Sequence, residues 1–198
     1  MADKPLPFID AHHHFWDLDR LYYPFLQDVP AHEFFLGDPS PIAKTFLPAD
    51  YRAAAANHDV VGTVHVEAEC DRSMQLDETR WLTELNERDG LPSAIVAHVW
   101  FDAPDIEDQL AQHAEFGLLR GIRSKPLTTA QPGQDIRGRR RTMQDPMWLH
   151  GYKMLEKFGL SWDLRVPCWH LSEAAEVAAA HPDTPVVLNN TRFPWERS

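Results

Sequence analysis

Short apolar or β-branched runs alternate with longer helical patterns from one end of this chain to the other. The runs at residues 8–12, 60–67, 93–100, 118–123, 160–166 and 185–189 predict strands. The stretches 48–58, 76–89, 104–116, 146–158 and 172–181 predict helices, and several carry boundary signals. Leu47-Pro48-Ala49-Asp50, Ala103-Pro104-Asp105 and Ser172 before Glu173 mark helix starts, and Gly90, Gly117 and Gly159 follow helix ends. A repeated βα order calls for a parallel sheet with right-handed crossovers, either a (β/α)8 TIM-type barrel or a doubly wound open sheet. Two long loops, 16–46 and 124–143, follow strand C-termini, where α/β folds build their sites.

Polar residues interrupt the strands in a regular way. On a strand, alternate side chains share a face, so in Ile9-Asp10-Ala11-His12-His13-His14 the residues Asp10, His12 and His14 should point one way and Ile9, Ala11 and His13 the other. Two imidazoles at one strand end can bind Zn²⁺ or a similar ion, with a carboxylate orienting one of them. The bland alternative is an expression tag, but a tag is not normally set between Phe-Ile-Asp and Phe-Trp-Asp. The same alternation turns His65 and Glu67 inward, puts His98 with Val96 and Trp100, puts Arg123 with Leu119 and Gly121, and sets Asp163 and Arg165 opposite Trp162. His65 and His98 read equally well as hydrogen-bonded core histidines. Glu67 is balanced between a substrate contact and an interior salt bridge, and Asp163 and Arg165 can pair with each other or with neighbours. Arg123 suits a carboxylate or ester oxygen.

Composition narrows the class. At 198 residues, 43% hydrophobic and 25% charged, the chain is sized for one globular domain. No apolar run is long enough to span a bilayer, and the first residues lack a secretory pattern, so the default expectation is a cytoplasmic protein with no membrane partner. Cys70 and Cys168 form no CxxC pair and read as thiols. A net charge of −11 argues against nucleic-acid binding. Only Arg137-Gly138-Arg139-Arg140-Arg141 runs against that trend, and it reads as a solvated loop or a contact to an anionic substrate.

Four blocks together resemble the amidohydrolase-related family, in its sugar-acid lactonase and pyrone-dicarboxylate lactonase branch. They are Ile9-Asp10-Ala11-His12-His13-His14-Phe15-Trp16-Asp17, His65-Val66-Glu67-Ala68-Glu69, Gly121-Ile122-Arg123 and Val187-Leu188-Asn189-Asn190-Thr191-Arg192-Phe193-Pro194-Trp195. The resemblance covers nearly the whole chain and implies a distorted (β/α)8 barrel acting on a small-molecule substrate. Its chemistry would be attack of water on a carbonyl polarised by a divalent metal or by fixed cations, since some members are thought to act without a metal. His12 and His14 would then be the metal-binding or carbonyl-polarising pair, Arg123 would hold an anionic oxygen, and Glu67 and Asn190 would contact substrate.

Two departures qualify this. The family's Asn-His-Thr-Gly is here Asn189-Asn190-Thr191-Arg192, and asparagine does not replace imidazole as a strong zinc ligand. The pattern also accounts for about six of eight βα units, without the family's late-strand aspartate. The expectation is therefore an incomplete barrel with little lactonase activity as given, whose open edges favour self-association. A decarboxylase of the same superfamily and a non-catalytic ligand-binding relative are the alternatives. A flavodoxin-like or nucleotide-binding sheet is disfavoured because no Gly-rich phosphate loop follows the first strand.

Overall fold

A computed structural model describes residues 6–28 and 38–189. Six strands stand in chain order in one sheet, β1 (Pro7–His13), β2 (Asp59–Val66), β3 (Ala94–Ala97), β4 (Leu119–Ile122), β5 (Ser161–Leu164) and β6 (Val186–Leu188). The pairs β1–β2, β4–β5 and β5–β6 are parallel, and helices α2 (Pro48–Ala54), α3 (Gln75–Asp89), α4 (Ile106–Ala114), α5 (Pro146–Phe158) and α6 (Leu171–Ala180) fall between the strands. A short helix, α1 (Pro24–Gln27), interrupts the first long loop. Among the described residues this is the α/β TIM-barrel type with six strands and the five intervening helices α2 to α6, as the alternating pattern predicts. Among the described residues, no helix is long and apolar enough to cross a membrane. The chain divides into two compact units, residues 1–95 and 96–198.

In the first unit, α2 begins where Pro48 takes the first helical position and the Asp50 carboxylate accepts the Leu47 N–H at 2.9 Å. α3 ends at Gly90, whose φ of 75° lets its N–H reach the Asn86 carbonyl. Trp81, Leu82 and Leu85 recur at helical spacing and are buried, as are Phe15, Tyr23 and Val66 of the same unit. Trp16 and Phe46 exchange backbone hydrogen bonds of 3.2 and 2.9 Å, closing the long loop after β1.

In the second unit, α5 has the boundaries its sequence signals imply. The Asp145 carboxylate accepts the Met147 N–H, Pro146 opens the helix and Gly159, at φ 64°, closes it. Its buried face of Trp148, Tyr152 and Leu155 meets Phe101 and Trp162, with ring centroids 5.2 Å apart for Phe101–Trp148 and for Tyr152–Trp162. Edge-to-face aromatic pairs of this kind contribute about 0.5–1.5 kcal/mol each beyond the area they bury. Gly151 lies among them because a Cβ there would come within 2.1 Å of the Phe101 carbonyl oxygen.

Candidate functional site

In the first unit, β1 does not keep strict alternation. The register runs Asp10↔Thr63 and then His13↔His65, so β1 advances three residues where β2 advances two. The parity argument that set His13 opposite Asp10 therefore does not carry through the bulge. Both now meet Tyr51 of α2. Its hydroxyl donates to Asp10 Oδ2 at 2.7 Å, and its ring lies 5.0 Å from that of His13. His13 is the buried member of the triplet, packed on Phe15 and His65, and burial pulls its pKa down to about 4 despite the nearby Asp10 charge.

His12 and His14 are brought together, as expected, with ring centroids 5.0 Å apart and planes nearly perpendicular. His14 Nδ1 lies 2.6 Å from the Val66 carbonyl oxygen, so this nitrogen carries the hydrogen and donates it, and the basic lone pair is on Nε2. His65 is fully buried, with Nε2 3.2 Å from the Phe15 carbonyl. Glu67 is fully buried too, and Oε2 accepts from Arg72 Nη1 and from the Glu69 N–H, both at 3.0 Å. The interior salt bridge is thus formed. Arg72 itself escaped sequence reading because it lies past the strand, in a 3₁₀ turn at Arg72–Met74.

In the second unit, Arg123 follows β4, is buried, and donates its backbone N–H to the Ala97 carbonyl at 2.8 Å. Asp163 of β5 is buried as well. Asn189 Nδ2 donates to its Oδ1 at 2.8 Å and Ser161 Oγ approaches its Oδ2 at 3.3 Å. Burial raises the Asp163 pKa, while those hydrogen bonds and the Arg123 charge oppose the rise. Gly121 leaves the space this cluster occupies, since a Cβ there would lie 2.2 Å from Ser161 Oγ and 3.0 Å from Asp163 Oδ2. Sequence reading picked out Asp163 as inward-facing, but its partner Asn189 lies 26 residues away and no local pattern announces it. His98 is buried with its ring 4.5 Å from Trp100. Asn190 lies outside the described residues.

Strands in chain order with helices between them define a barrel-type α/β protein, and in each unit polar side chains stand at or just after strand C-termini: His12, His14 and Glu67 in the first, Arg123 in the second. The profile of the amidohydrolase family matches residues 9–196, and the chain belongs to that family. It is 34% identical over 186 residues to the uncharacterized protein y4mH of Sinorhizobium fredii (strain NBRC 101917 / NGR234), a match covering 94% of this chain and 62% of that one.

Its fold is similar to that of an amidohydrolase from Burkholderia multivorans with bound zinc (TM-score 0.64, 24% identity, 91% of this chain and 56% of that one). It is also similar to a probable 2-pyrone-4,6-dicarboxylic acid hydrolase from Acinetobacter baumannii with citric acid bound (TM-score 0.55, 12% identity, 85% and 53%). A 5-carboxyvanillate decarboxylase from Sphingomonas paucimobilis shares the fold as well (TM-score 0.51, 14% identity, 86% and 55%). The chain thus spans a little over half the length of the proteins it matches.

Proposed function

We propose that the protein hydrolyses a lactone or related ester of a small sugar acid or carboxylate. The observation that supports this most directly is the His12–His14 pair at the end of β1, with His14 held by the Val66 carbonyl in the tautomer whose Nε2 is basic. Hydrolysis adds the oxygen of water to the carbonyl carbon, breaks the ring C–O bond and delivers a proton to the departing oxygen. His14 Nε2 is suited to take the proton from water, and His12 to hydrogen-bond the carbonyl oxygen. Arg123 is suited to hold a carboxylate or other anionic oxygen, as a guanidinium does in a planar two-point contact. Glu67, fixed by Arg72, orients hydroxyls or water, and Asn190 would contact the substrate carbonyl.

A divalent ion such as zinc would be held by His12 and His14 and would polarise the carbonyl. The fit is partial, because among the described residues no group of three His, Cys, Asp or Glu side chains is placed to hold a metal. The roles given above therefore rest on protein groups alone and are equally those of a metal-independent route.

The test is turnover of a panel of sugar-acid lactones, read by acid release, alongside sugar-acid binding by calorimetry. Turnover above the spontaneous rate that falls at least about a hundredfold in His12→Ala and His14→Ala supports the reading, as does binding lost in Arg123→Met. Release of CO₂ from an aromatic carboxylate, with no lactone turnover, would assign the decarboxylase reading. Binding without either reaction would mark a non-catalytic relative.

A further inference from the structure

An open cleft of about 610 Å³ lies in the second unit, where the residues following β3 meet the arginine-rich loop, lined among others by Trp100, Asp102, Asp105, Gln109, Arg140 and Arg141. None of the residues given a role in hydrolysis lines it.

Its organising group is Asp102, only 7% exposed, whose Oδ2 lies 3.6 Å from Arg140 Nε and whose Oδ1 lies 3.5 Å from Arg141 Nε. One buried carboxylate thus gathers two guanidiniums that would otherwise repel. Both approach it through Nε at ion-pair distances longer than an ordinary hydrogen bond, so the carboxylate positions the two guanidiniums without a tight bidentate contact. Arg141 is fixed further by stacking, with its Cζ 3.9 Å from the centre of the Trp100 ring.

The Arg141 backbone is held at φ 67°, a left-handed conformation unusual for a side chain of this size, which persists only where the surroundings impose it. Here they do. Asp145 Oδ2 accepts the Arg141 N–H, and the Arg141 carbonyl accepts from the Leu127 N–H, both at 2.7 Å. Asp105, the other carboxylate of the cleft, is exposed and already accepts from Gln109 Nε2 at 2.8 Å.

We propose that this cleft is a binding site for a small oxyanion, a carboxylate or phosphate group held between Arg140 and Arg141. The guanidinium fork matches the two coplanar oxygens of such a group, and the stack on Trp100 lowers the entropy lost on binding. Asp102 and Asp105 balance the two arginines in formal charge, so the site selects by geometry and its affinity is modest. The proposal stands apart from the hydrolase reading and needs no turnover to be tested.

Calorimetric titration of the 198-residue chain with inorganic phosphate and, separately, with citrate at constant ionic strength tests it. Expected is saturable one-site binding of at least one anion, weakened about tenfold or more in Arg140→Gln and Arg141→Gln. Arg137→Gln should leave it unchanged, because Arg137 pairs with Glu176 outside the cleft. Phosphate without citrate would identify a phosphoryl ligand, and citrate without phosphate a polycarboxylate. Arg140 is 80% exposed, so its variant tests the site even if Arg141→Gln fails to fold by circular dichroism. No saturable binding of either anion, or equal weakening in Arg140→Gln and Arg137→Gln, would overturn the proposal.

Discussion

The tautomer of His14 is set by its surroundings. The 2.6 Å contact from Nδ1 to the Val66 carbonyl selects one tautomer, the neighbouring His12 ring adds a second imidazole, and among the described residues no group of three His, Cys, Asp or Glu side chains is placed to hold a metal. Two imidazoles without a carboxylate or thiolate make a poor zinc site, because structural and catalytic sites use three or four protein ligands. Zinc added to tag-free protein is therefore expected to be lost on dialysis against a chelator, and the weak calorimetric binding that precedes dialysis should vanish in His12→Ala and His14→Ala. Stoichiometric zinc surviving that dialysis would contradict this. The pair itself was legible in the sequence, since His-x-His on a strand end is a local pattern. Its buried neighbour was not. His13 and Asp10 both meet Tyr51 because of a register shift between β1 and β2, and such a shift depends on a partner strand some 50 residues away, which alternation along one strand does not encode.

At the scale of elements, α5 shows both what local sequence carries and what it omits. Asp145, Pro146 and Gly159 are boundary signals with their own mechanisms, and the helix starts and stops where they say. Gly151 reads in the sequence only as a weak point inside a helix, yet the fold requires it, because the Phe101 backbone passes where a Cβ would stand. Gly151→Ala is expected to destabilise by about 1–3 kcal/mol despite its better helix propensity, while Lys153→Ala on the exposed side of α5 should change stability by less than about 0.5 kcal/mol. Urea unfolding of the two variants decides it, and a stabilised Gly151→Ala would mean that the close approach to Phe101 is absent.

The neighbouring α4 carries a second such feature. His113 is buried, and burial takes its pKa from 6.5 down to about 4. The unfolded chain therefore binds this proton first as pH falls, so the stability associated with neutral His113 is whole above pH 6.5 and is lost between there and about pH 4. The full loss is on the order of 3 kcal/mol. His113→Leu should shrink the difference in unfolding free energy between pH 7 and pH 4.5, and an unaltered difference would show that His113 does not titrate on unfolding.

For the molecule as a whole, the order of the strands and the charge of the chain act against each other. The strand order begins with β1 and ends with β6, and apolar side chains stand exposed at both, among them Ile9 at 62% and Val187 at 47%. Val61 of β2, also 62% exposed, extends the first of these surfaces. Outermost strands with exposed apolar side chains are templates for pairing with another chain; neither β1 nor β6 contains a lysine, and the one proline between them, Pro7, stands at the very start of β1. The net charge of −11 opposes association, since two copies repel at long range. That repulsion is screened within about 10 Å at 0.1 M salt and about 3 Å at 1 M, whereas apolar contact is not weakened by salt. Self-association of the 198-residue chain is therefore expected to grow with both protein concentration and ionic strength, the reverse of what charge-driven pairing would show. Sedimentation velocity at low and high salt reads this directly. Ile9→Lys and Val187→Lys should each shift the distribution toward monomer by restoring a charge to an outer strand, and a chain that stays monomeric at every concentration and salt would refute the pairing outright.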